Sequence, residues 1–68
     1  MTKEILEKLP DNIRAKVEDF RKAYTAKGFP NWHYDNALAR SAAYMDGLRD
    51  AGIITERERQ VLFIYTTV

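Results

Sequence analysis

Five large apolar residues in a row, Val61-Leu62-Phe63-Ile64-Tyr65, follow a strongly charged segment, Glu56-Arg57-Glu58-Arg59, with only Gln60 between. On a helix, five consecutive positions point in every direction. A surface helix of a small monomer needs only one apolar stripe. A segment that is apolar all round must be covered on several sides, and a chain of 68 residues has little mass to do it. Chains this short bury only about 60% of their unfolded surface, and small domains usually add disulfides, a metal or a partner chain. Cysteine is absent, which excludes disulfides, thiolate chemistry and zinc sites of the cysteine type. A single histidine, His33, cannot build a His-rich metal site. Self-association remains as the support, and the expected assembly is a homodimer.

The helix starts and stops are readable. The first predicted helix runs from Asp11 to Lys27, after Leu9-Pro10-Asp11, which supplies a proline and a capping-type residue. Ile13, Val17, Phe20 and Tyr24 lie on one face of it, and Gly28 ends it. Residues 2–8 add a short turn of helix, with Ile5, Leu6 and Leu9 as a flap. Phe29-Pro30-Asn31 is a short connector, so the next helix is an antiparallel neighbour.

That second helix spans Asn31 to Ala51. Tyr34, Leu38, Ser41, Met45 and Leu48 fall on one side, flanked by Ala37 and Tyr44. The opposite side carries Ala39, Ala43 and Gly47. Glycine inside a helix costs about 1 kcal/mol relative to alanine, so Gly47 calls for a reason, and close approach of another backbone is one. The alternative is an ordinary solvated face, since Asp46 and Asp50 border the stripe. Gly52 fits the left-handed position after the helix, with Ile53 placed to contact Leu48. Thr55-Glu56-Arg57-Glu58 is a capping box that opens a third helix from Glu56 to about Tyr65, with Thr66-Thr67-Val68 fraying. Residues 60–68 are also rich in strand formers, and a strand there would equally need a partner. The expected fold is all-α: an antiparallel helical hairpin with a short third helix, one domain over residues 1–68, doubled into a homodimer.

Composition excludes several function classes. Eleven basic residues against ten acidic ones give a net charge of +1, and the signs are mixed along the chain, so nothing favours nucleic acid or an anionic membrane. No apolar run approaches spanning length and no signal-peptide core opens the chain; the expected location is the cytoplasm. Helix, glycine turn and helix outline a helix-turn-helix, the alternative reading. Its reading helix would lead with Glu56 and Glu58, facing phosphates with the wrong sign. Trp32-His33-Tyr34-Asp35 could be drawn as an acid–base cluster. Packing around the connector accounts for the same residues, so no catalytic, cofactor or metal residue is assigned. Asp46 and Asp50 alone are too few ligands for a divalent ion.

Protein binding remains. Aromatic residues and arginine dominate binding hot spots. Phe29 and Trp32 sit at the connector, where a monomer covers them poorly, and Arg40 and Tyr44 flank them on the second helix. These four are the candidate partner-binding residues. Ala39, Ala43 and Gly47, with Leu62, Phe63 and Ile64, are the candidate dimer interface.

The stretch that carries a resemblance lies within residues 32–58: Trp32-His33, then Ala37-Leu38-Ala39-Arg40-Ser41-Ala42-Ala43-Tyr44-Met45-Asp46-Gly47-Leu48, Ala51-Gly52 and Thr55-Glu56-Arg57-Glu58. It resembles small accessory proteins of temperate, Mu-like Pseudomonas phages, most of all the quorum-sensing anti-activator and twitching-inhibitor type. The resemblance implies a non-enzymatic dimer in the host cytoplasm. It would bind a LuxR-type transcription regulator and block its DNA binding. In some such proteins a second partner is the ATPase that drives type IV pilus extension. No functional residue is carried over by position.

Overall fold

The computed structural model describes all 68 residues as four helices and no strand: α1 (Thr2–Lys8), α2 (Asp11–Thr25), α3 (Asn31–Asp50) and α4 (Glu56–Thr67). The strand alternative for residues 60–68 is thereby overturned. The flap expected over residues 2–8 is a helix of two turns.

Local sequence explains the boundaries. Pro10 and Pro30 stand at the N-caps of α2 and α3, where a missing N–H removes nothing from the helix. Asp11 is therefore the first helical residue rather than the cap, and it pairs with Arg14 at 2.9 Å one turn on. Helix α2 stops at Thr25, with Ala26 extended. Gly28 does not cap it but turns the connector at a φ of +87°. The exit of α3 follows the expected design. Gly52 has a φ of +77°, its N–H donates to Arg49 O at 3.0 Å, and the Ile53 N–H donates to Leu48 O at 2.9 Å. These two bonds are the Schellman pair. At the start of α4, the Thr55 hydroxyl accepts from the Glu58 N–H at 3.1 Å while the Glu58 carboxylate accepts from the Thr55 N–H at 2.9 Å.

Helix α4 lies at the centre, in contact with α1, α2 and α3. Its apolar run is covered mostly from within the chain. The core joins Ile5 and Leu9 of the α1 region, Val17 of α2, Met45 and Leu48 of α3, Ile54 of the turn and Leu62 of α4. Ile54 is the buried turn residue, while Ile53 is exposed. Two expectations are corrected here. Ala37 is buried and Leu38 is at the exposed edge, because the α3 core face centres on Ser41 and Met45. Thr66 does not fray: it is fully buried, and its hydroxyl shares a 2.8 Å hydrogen bond with Ser41 Oγ.

Polar contacts tie the helices into one body. The Arg14 guanidinium donates to Leu6 O and Leu9 O, each at 2.8 Å, closing the open carbonyl end of α1. Lys8 pairs with Glu58 at 2.9 Å, joining α1 to α4. Between α2 and α3, Phe20 packs on Tyr44 with ring centroids 5.4 Å apart, and Tyr24 meets Tyr34 edge-on at 6.1 Å. The Tyr65 hydroxyl donates to Glu18 at 2.6 Å, and Arg21 lies 4.4 Å over the Tyr65 ring while donating to the Tyr65 carbonyl.

Candidate interaction surface

The first turn of α3, just after the connector from α2, carries the largest exposed side chain in the molecule. Trp32 is 66% exposed and Phe29 50%. Neither floats free. Phe29 stacks on the His33 ring at 4.2 Å with the planes 16° apart, and Trp32 stands edge-on to the same ring at 6.4 Å. His33 is anchored through Nε2, 2.9 Å from Ala23 O, and Tyr34 donates its hydroxyl to Ala26 O at 2.5 Å. These two bonds reach back to α2 and lock the connector. The result is two exposed aromatic side chains, Phe29 and Trp32, gathered on either side of an anchored His33 ring. His33 therefore packs the connector together, as the sequence reading allowed.

Arg40 and Tyr44 do not join this cluster. They lie eight and twelve residues beyond Trp32 on α3, which is about 12 and 18 Å along a helix. Arg40 is exposed and free of ion pairs. Tyr44 is half-buried against Phe20 and the edge of the core. Its ring thus packs the α2–α3 contact while part of it stays exposed.

The candidate dimer residues separate in the same way. Ala39, Ala43 and Gly47 are exposed on the outward side of α3. A Cβ placed on Gly47 would meet nothing within 4 Å, so no backbone of this chain makes the close approach that the glycine suggested. Leu62 is a further correction: it is 0% exposed within a single chain, packed in the core rather than facing outward. Phe63 is half-buried. Ile64 is 60% exposed, and Val68 beyond it 79%. Beside them an open groove between α1 and α4 is lined by Met1, Ile5 and Val61, with Glu4, Thr55, Arg57 and Glu58. The sequence reading missed this groove, because it depends on where α1 lands.

Charge is concentrated where α3 meets α4. Arg49 pairs with Glu56 at 2.7 Å, and Arg59 pairs with Glu56 at 2.6 Å and with Asp46 at 3.5 Å. Hydrogen bonds from Arg59 and then Arg49 pull the Glu56 carboxyl down to about 2. Asp46 and Asp50 are thus neighbours of arginine, and no group of three or more potential metal-ligating side chains occurs in the molecule. No helix is long and apolar enough to cross a membrane.

Comparison of the chain with protein-family models, with curated proteins and with solved structures finds no match.

Proposed function

We propose that this chain is a non-enzymatic, protein-binding inhibitor or adaptor, an antiparallel hairpin of α2 and α3 buttressed by α4 and α1, that works as a homodimer in the cytoplasm. The observation that carries the reading is the exposure of two large aromatic side chains, Trp32 and Phe29, on either side of the His33 ring. Tryptophan is among the residues most enriched in binding hot spots. The partner class follows the resemblance noted in the sequence: a host LuxR-type transcription regulator, with the type IV pilus ATPase as a second target. The mechanism is occlusion, a small body seated where the regulator would meet DNA.

A helix-turn-helix DNA binder is the alternative. The carboxylates that lead α4 count against it, as does the engagement of Arg49 and Arg59 by acidic neighbours, which leaves little free positive charge for phosphates.

The test is a gel shift with a purified LuxR-type regulator and its operator. Adding this protein should release the DNA. Trp32→Ala should raise the concentration needed by at least about tenfold, the scale of a hot-spot truncation, with an unchanged circular dichroism spectrum. No release at stoichiometric excess would remove the regulator from the proposal. Direct, salt-sensitive binding to random duplex would favour the alternative.

A further inference from the structure

Helix α1 is attached to the molecule differently from the other three. Helices α2, α3 and α4 each pack on the other two, whereas α1 packs mainly on α4. It lies over the apolar run with an open groove beside each of two faces: Ile5 borders Val61 in one, and Leu6 borders Tyr65 in the other. Nine of the 11 buried residues lie outside α1 and its exit, so most of the core is built without it. Two apolar anchors, Ile5 and Leu9, and two polar ties hold α1 down. Lys8 meets Glu58 with its side chain 68% exposed, where such a pair contributes little. Arg14 is the stronger tie. Its guanidinium donates to Leu6 O and Leu9 O, each at 2.8 Å, and brings positive charge to the carbonyl end of the helix, where a cation is favoured. With seven residues, α1 is too short to hold a helix alone.

We infer that α1 is a hinged strap, clasped by Arg14, that leaves α4 as a unit while α2, α3 and α4 stay folded. The hinge is Leu9 and Pro10, both in extended backbone between the two helices. Proline keeps α1 and α2 from merging into one helix, so the strap swings without disturbing the start of α2. Once the Arg14 bonds break, the carbonyl end of α1 loses its partners, the short helix melts, and Ile5 and Leu9 leave their seat. Release bares the side of α4 around Val61, Leu62 and Tyr65, which belongs to the run that needs cover on several sides. The closed strap is thus a gate on the apolar surface of α4, and a single guanidinium sets how often it opens.

Native-state hydrogen exchange, followed by NMR across low urea concentrations, tests it. The amides of Ile5 and Leu9, which donate to Met1 O and Leu6 O, report on the strap, and those of Met45 and Leu62 on the body. Ile5 and Leu9 should share one opening free energy and one urea slope. Both should be smaller than for Met45 and Leu62, because the slope follows the surface exposed in the opening. Gly47→Ala strengthens α3 in the closed and open forms alike. It should slow exchange at Met45 and Leu62 by about threefold to fivefold and leave Ile5 and Leu9 unchanged. Arg14→Gln should speed exchange at Ile5 and Leu9 by at least about tenfold, and Lys8→Ala by less than about fivefold. If Gly47→Ala slows all four amides together, α1 leaves only when the whole molecule unfolds, and the strap is overturned. Graded rates at Ile5 and Leu9 with no urea slope would mean fraying from the chain end and overturn it equally. An unchanged strap rate in Arg14→Gln removes the clasp.

Discussion

Two glycines in this chain predict opposite outcomes for the same substitution. Gly52 sits at a φ of +77° in the turn after α3. A Cβ there meets no neighbouring atom, so the whole cost of Gly52→Ala is the left-handed backbone, about 1–2 kcal/mol. Gly47 is helical, exposed and equally open. Gly47→Ala should stabilise the fold by up to about 1 kcal/mol. Urea denaturation of the two variants should move the midpoint in opposite directions. Loss of stability in Gly47→Ala would mean that something closes on that face. At this scale much was legible beforehand. The turn glycine and the capping box announce themselves because both act within a few residues. Whether Ile53 or Ile54 enters the core was not legible, since the turn's direction relative to α4 decides it. The burial of Leu62 was likewise hidden, because any of five adjacent apolar residues could face inward.

Among the elements, α4 is tied to α2 by a titratable contact. Tyr65 donates to Glu18, and that hydrogen bond, followed by burial and the negative charge of Glu18, raises its pKa above the ordinary 10.0. The folded state therefore favours the protonated phenol. Its contribution is fully present below pH 10.0 and is lost as the pH rises through the higher folded value. Stability should fall above that pH in the wild type, and Tyr65→Phe should flatten the fall. Thermal melts across an alkaline series would show it, and parallel slopes in the two proteins would refute the contact. The sequence offered no means of pairing Tyr65 with Glu18. That partner lies 47 positions away, and only helix packing brings it near.

For the molecule as a whole, α1 is the element that changes the reading. Only 11 of 68 residues are buried, and two of them, Ile5 and Leu9, come from α1 and its exit. They supply cover that α4 seemed to lack. A domain of this size has a net stability of only a few kcal/mol. Ile5→Ala should cost about 2–4 kcal/mol, enough to populate the unfolded state near room temperature. A wild-type melting curve for that variant would mean that α1 is not seated on α4. The mainly helical class, the starts of the three longer helices and the absence of cysteine chemistry follow from the sequence alone, because capping, proline placement and apolar spacing are local; the helical state of residues 60–68 does not. The seat of α1 on α4, the stacking of Phe29 on an anchored His33, and the apolar positions left open on α4 were decided only by tertiary structure. Each depends on contacts between residues far apart in the chain, and no local pattern encodes the angle at which two helices meet.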